Sequence, residues 1–210
     1  TSWDNRSLRP FSQRDAAGVT YYANINGVNE EHTGAELEVL YKLNSKLKIN
    51  GMISVGDWKY SNNVNNVQVF DDANNVVGKP FSVYLKDVKV GDAAQTTAAF
   101  GANYSVTENL KLGMDYNYYG NNYSSFIPEN RTTEATASTV WKVPNYSTVD
   151  ANARFSFKLG TLKADFFAKV NNIFNTEYIS DANDGPASNA ATSTVFYGLG
   201  TTYTTGLNIK

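Results

Sequence analysis

The sequence predicts an all-β chain whose antiparallel strands form part of the wall of a transmembrane β-barrel. Three observations predict it. Apolar and polar residues alternate with period two in segment after segment, as in strands with one face in an apolar medium. The connections between those segments alternate between short and long. No run approaches the ~20 apolar residues of a membrane-crossing helix, so a membrane-embedded form of this chain has to be a barrel, the other way to satisfy every backbone group in lipid.

Taken in order, Ser2 to Leu8 reads as the end of a strand already under way. Val19, Tyr21, Ala23 and Ile25 alternate with Thr20, Tyr22, Asn24 and Asn26, which suggests the upper part of the strand that continues through Ala35. There Ala35, Leu37, Val39 and Tyr41 oppose Glu36, Glu38 and Lys42, with Leu40 out of pattern. After a tight turn at Asn44-Ser45-Lys46, Leu47, Ile49, Ile53 and Val55 alternate with Lys48, Asn50 and Ser54. The pattern breaks near Gly56-Asp57-Trp58, where a bulge is expected.

A second hairpin sets Ala98, Phe100, Ala102, Tyr104 and Val106 against Asn103 and Ser105, turns at Thr107-Glu108-Asn109, and returns with Leu110, Leu112, Met114, Tyr116 and Tyr118. A third carries Val149, Ala151, Ala153, Phe155, Phe157 and Leu159 to a turn at Gly160 and back through Leu162, Ala164, Phe166, Ala168 and Val170. In the last segment Tyr197, Leu199, Tyr203, Leu207 and Ile209 alternate with Gly198, Gly200, Thr202, Thr204, Gly206 and Asn208, one strand with a small, polar inner face.

Turns near Ser45, Glu108 and Gly160 span a few residues, whereas 61–93, 121–146 and 172–195 are long, polar and rich in Asn and Asp. Short periplasmic turns and long extracellular loops are the habit of outer-membrane barrels. A soluble antiparallel sheet also alternates, but it has no reason to gather its short turns at one end. Nor does this chain offer an amphipathic helix to cover the apolar side.

Composition narrows the function. A net charge of −2 with no long run of like charge supplies no basic stripe for nucleic acid. Cysteine is absent and His32 is the sole histidine, so thiolate sites and imidazole clusters are excluded and no cofactor is indicated. Catalysis lacks a constellation: His32 has no evident nucleophile, and the i,i+2 spacing of Glu36 and Glu38 fits the lining of a lumen. The chain reads as no enzyme.

Three segments carry a family resemblance. Gly34-Ala35-Glu36-Leu37-Glu38 is similar to a Gly-x-Glu-Leu-Glu strand, Val170-Asn171-Asn172-Ile173-Phe174-Asn175-Thr176-Glu177-Tyr178 to a penultimate strand end, and Thr202 to Lys210 to a closing strand. Together they resemble the C-terminal part of the barrel of TonB-dependent receptors of the Bacteroidetes type, over essentially residues 1–210.

The resemblance implies a barrel of 22 strands around an N-terminal plug, of which this chain holds about the last eight strands, without the plug or the box that engages TonB. It implies the cell outer membrane, with lipid, the rest of the barrel and plug, TonB through the missing N-terminal part, and a surface lipoprotein as partners. The cargo would be a metal chelate, a vitamin or a glycan. Such barrels usually close on an aromatic residue, and Lys210 is not one. The parity of Leu207 and Ile209 puts a residue 211 on the lipid face, so the end reads as clipped by about one residue.

Tyr41, Tyr104, Tyr116, Tyr118, Phe155 and Phe157 fall on the outward parity and read as membrane anchors. Trp58, Tyr119, Tyr123 and Phe126 lie near loop bases or on the inward parity, where an aromatic can contact a substrate. Tyr203, Leu207 and Ile209 form the outward row that assembly reads, and Gly198, Gly200 and Gly206 leave room on the inside, where a plug would sit. Asp71 and Asp72, and Asp181 and Asp184, supply hard oxygen ligands of the kind Ca²⁺ takes, although turn chemistry explains the same residues better. Two other readings compete: a self-contained barrel of about eight strands serving as anchor or adhesin, and a soluble carbohydrate-binding β-domain. The first would pair the last strand with the one near Ser2.

Overall fold

The computed structural model describes residues 1–8, 10–136 and 140–210. Its strands are β1 (Ser2–Arg6), β2 (Phe11–Arg14), β3 (Thr20–Ala23), β4 (Val28–Lys42), β5 (Leu47–Tyr60), β6 (Val64–Phe70), β7 (Val76–Val83), β8 (Thr96–Ser105), β9 (Leu110–Gly120), β10 (Tyr146–Leu159), β11 (Leu162–Asn171), β12 (Ile179–Asn183), β13 (Thr194–Tyr197) and β14 (Thr202–Ile209). Eight of them form one antiparallel wall in the order β1-β4-β5-β8-β9-β10-β11-β14. Among the described residues the wall does not close on itself: β14 pairs with β11, β1 with β4, and the outer edges of β1 and β14 carry no strand. The self-contained barrel, which needed β14 against β1, is therefore not what these residues build.

The short turns are built by their own side chains. Asn44 Oδ1 accepts from the backbone N–H of Lys46 and Leu47 at 2.8 and 2.9 Å, and Thr107 Oγ1 accepts from those of Asn109 and Leu110 at 3.2 and 3.0 Å. These are the local bonds that favour turns over continued strand. Gly160 takes φ +64° in the link from β10 to β11, a conformation costly for residues with a Cβ.

Register carries one apolar face across the seven wall strands from β4 to β14. Directly opposed residues of an antiparallel pair share a face, and Leu37↔Ile53↔Ala98↔Tyr118 runs from β4 through β5 and β8 to β9, while Leu110↔Phe155↔Phe166↔Leu207 runs from β9 through β10 and β11 to β14. That face stays open, with Leu37 61%, Phe100 53% and Leu207 56% exposed. Monomeric soluble proteins rarely leave so wide a contiguous apolar surface in water. The opposite face carries Glu36↔Ser54, Glu38↔Met52, Asp115↔Asp150 and Asn152↔Lys169.

The buried core lies at the end of the wall where the long loops gather. Ile25, Val28, Tyr60, Val64, Val67, Val83, Leu85 and Val88 pack there, joining the tops of β4 and β5 to a second sheet of order β2-β3-β6-β7. Two expectations change here. The stretch 61–93 contains the strands β6 and β7. Val19–Ile25 is not the upper part of the strand through Ala35, because β3 pairs with β2 and β6, and the chain turns at Gly27 (φ +80°) before β4 begins.

Nor is there a bulge at Gly56-Asp57-Trp58. β4 and β5 pair without interruption from Glu30↔Tyr60 to Lys42↔Lys48. What changes is the other edge of β5. The β8 ladder ends at Val55↔Thr96, after which Gly56 donates to the Gln95 carbonyl at 2.6 Å and Trp58 N–H to Gln95 Oε1 at 3.0 Å. The terminal segment likewise divides, Tyr197 ending β13 against β12 while β14 starts at Thr202.

The glycines of that segment leave no void. A side chain at Gly198 would meet the Tyr178 ring, one at Gly200 the Asn175 carboxamide, and one at Gly206 the Phe167 ring. The space beside these glycines is taken by the adjoining strand β11 and by the stretch that follows it.

Candidate ligand-binding site at the loop end

Register puts Trp58 on the polar face opposite His32, and the two rings stack with centroids 5.3 Å apart. Trp3 stacks on the other side of His32 at 5.7 Å, so Trp3, His32 and Trp58 form a ladder across β1, β4 and β5. His32 Nε2 lies 3.2 Å from Glu30 Oε2, and the same carboxylate oxygen accepts from Arg6 Nη1 at 2.6 Å. Arg6 also covers the Trp3 ring at 4.8 Å, a cation–π contact. Glu30 is 3% exposed, and a buried carboxylate needs such partners.

A second ladder stands farther round the same face. Tyr119 pairs with Tyr146 across β9 and β10, their rings stack at 4.8 Å, and Tyr146 stacks on Tyr178 at 4.2 Å. Tyr123 lies apart from both ladders: it bridges to Lys142, and its carbonyl accepts from Asp92 N–H at 3.2 Å. Phe126 meets Tyr60 edge-on, centroids 5.3 Å apart.

Phe126 and Tyr60 also line a cavity of about 520 Å³ with Arg6, Glu30, Asp92 and Ser125. Ser125 Oγ donates to Asp92. Burial, and then the neighbouring Asp92 carboxylate, push the Asp181 carboxyl above the usual carboxylate range. The four aromatics singled out from sequence therefore do not form one cluster: Trp58 and Tyr119 sit in separate ladders, Phe126 in the cavity, and Tyr123 in the loop between.

The acidic candidates are engaged locally. Asp71 accepts from the N–H groups of Ala73 and Asn75 at 2.9 and 2.8 Å, and those bonds draw its carboxyl below the usual range. Asp72 accepts from Thr20 N–H at 3.2 Å. Asp184 is 3.0 Å from Arg131 Nη2 and accepts from Ser188 Oγ at 2.7 Å. Among the described residues no three His, Cys, Asp or Glu side chains gather as a metal site.

Sequence reasoning missed the partners Trp3, His32, Tyr146, Tyr178 and Arg131. Two were within reach: His32 and Trp58 are equidistant from the turn between β4 and β5, and Tyr119 and Tyr146 follow from extending their hairpins upward. Tyr178 and Arg131 lie beyond the strand ladders, where parity says nothing.

Comparison with known proteins places this geometry in a family. The model of the TonB dependent receptor-like β-barrel matches residues 4–173, and the chain belongs to that family. The siderophore receptor PiuA from Acinetobacter baumannii has a similar fold, at TM-score 0.58 and 16% identity over 94% of this chain and 27% of the receptor. The copper transporter OprC aligns at TM-score 0.51 and 15% identity over 90% and 28%, and a chain of the FpvAI–pyocin S2 complex at 0.50 and 15% over 90% and 23%. The chain thus spans about a quarter of the length of these structures. No curated protein matches it.

Proposed function

We propose that these residues are the C-terminal stretch of the wall of an outer-membrane transporter, which takes up a scarce nutrient with energy delivered by TonB. The observation that carries this reading is the open eight-stranded wall, with one apolar face running from β4 to β14, whose polar face ends among packed loops. An apolar face of that extent suits acyl chains. Two bare strand edges are untenable in lipid, so further strands of the same barrel complete the wall around a plug. TonB acts through the N-terminal part, and a surface lipoprotein covers the loop end. Trp58, Tyr119, Tyr123 and Phe126 face the ligand's entry path.

The test is transport in the host. Cells carrying the whole receptor should accumulate the ligand, and an uncoupler should abolish accumulation while leaving surface binding intact. Accumulation that ignores the uncoupler, or a receptor that fractionates away from the outer membrane, would refute the reading.

A further inference from the structure

We infer that Tyr119, Tyr146 and Tyr178 are a hydrogen-bonding row that binds an uncharged, polyhydroxylated ligand. This rests on the receptor reading above and names the ligand class of its loop-end site. The rings stack at 4.8 and 4.2 Å with interplanar angles of 22° and 18°, so both faces of Tyr146 and one face each of Tyr119 and Tyr178 are spent within the row. Along its length the row offers edges and hydroxyls. A flat aromatic chelate would need a free ring face to stack on.

The three hydroxyls are also unclaimed. Among the described residues none has a hydrogen-bond partner in the protein, and none is among the buried groups sealed from solvent. By contrast, the adjacent Tyr118 hydroxyl is engaged by Asn145 at 3.0 Å. Each free phenol can donate and accept, which suits a chain of hydroxyl groups running across the strands.

The surroundings select against charge. Tyr119 faces Thr97 on its other side, and the next pair down on the same face is Asn117↔Thr148. The first charged pair, Asp115↔Asp150, lies two same-face steps below, roughly 13 Å along the strand. With Lys169 Nζ 3.9 Å from Asp150 the group keeps one net negative charge, which disfavours an anionic chelate. The remaining neighbour, Glu177, is exposed and lines with Thr176, Tyr178, Tyr197 and Gly198 a hollow of about 360 Å³ at the end of the row. Gly198 fixes that end, because any side chain there would displace the Tyr178 ring.

The experiment uses the whole receptor in detergent micelles, titrated with linear gluco-, xylo- and manno-oligosaccharides and, as the opposing arm, with ferric catecholate and ferric hydroxamate chelates. Tyr→Phe changes at positions 119, 146 and 178 keep the rings and the stacking and remove only the hydroxyls. An oligosaccharide should bind, each single change should weaken it about fivefold, and the triple variant about a hundredfold, with the unfolding transition unmoved. Binding that the triple variant leaves intact, or binding of the chelates alone, overturns the inference. Energised uptake of a chelate would leave the transporter reading standing without it, whereas absence of energised uptake of either class would remove both.

Discussion

Arg131 and Asp184 form an ion pair at 3.0 Å with side chains 1% and 3% exposed, and they come from two different loops. Burial draws the Arg131 guanidinium pKa down, and the Asp184 carboxylate opposes that shift. Beside them, Ser125 N–H donates to the Ala182 carbonyl at 2.8 Å and Asp184 N–H to the Ser125 carbonyl at 2.7 Å. The pair is thus the centre of a clasp between the stretches after β9 and after β11.

Removing one partner of a buried pair costs far more than removing both. Asp184→Ala should destabilise the clasp by about 3–5 kcal/mol, read as new protease cleavage in both loops, while Arg131→Met with Asp184→Leu should be much milder. Equal cleavage in the single and double variants would contradict this.

The wall's two faces make opposite demands. Phe155 stands between Leu110 and Phe166 on the apolar face, so Phe155→Lys should cost ~2–4 kcal/mol in a refolding titration in lipid. Ser156→Lys keeps its charge on the polar face beside Asp165 and should be mild. Spin labels at Leu37, Phe100 and Phe166 should be reached by lipid-soluble quenchers, and labels at Glu38, Lys111 and Lys158 should not.

Gly206 lies under Phe167, whose ring would be 2.5 Å from any added Cβ. Gly206→Val should force the ring aside and cost about 1–3 kcal/mol, and adding Phe167→Ala should restore most of it. A double-mutant cycle without coupling would show that the contact does not matter.

Asp71 and Asp15 hold exposed turns through backbone N–H groups, and both carboxyls lie below their usual range. A depressed folded pKa gives stability that is present above the unfolded value, about 3.9, and is lost as pH falls through the folded one. The amide signals of Asn75 and Val19 should therefore hold from neutral pH to about 4 and titrate below it. A midpoint at or above the unfolded value would contradict the assignment.

How much of this was legible follows from what alternation encodes. The seven strands from β4 to β14 whose side chains face two media announced themselves, because a one-residue slip would put every side chain of a strand on the wrong face. Gly27 and Gly198 carried the opposite lesson. The alternation on either side of each looked continuous, and only the three-dimensional path, a left-handed turn at one and the Tyr178 ring over the other, divided a single apparent strand into two. The binding candidates were legible one by one, from parity. Their grouping was not, since Tyr178 reaches Tyr146 from outside the ladder and Arg131 meets Asp184 across 53 residues of chain.

The buried core at the loop end also constrains motion. Ile25, Leu85 and Val88 are 0% exposed and pack with Val28 and Tyr60, which belong to the wall strands themselves. Fully burying such a side chain is worth about 1.5–3 kcal/mol, so swinging the β2-β3-β6-β7 sheet outward would expose several of these at once. Phe126 leans on Tyr60, and the Arg131–Asp184 clasp ties its loop to the next. The sides of this vestibule behave as masonry. A ligand that meets this end of the wall therefore meets a preformed surface, one whose shape differs little between its empty and occupied states.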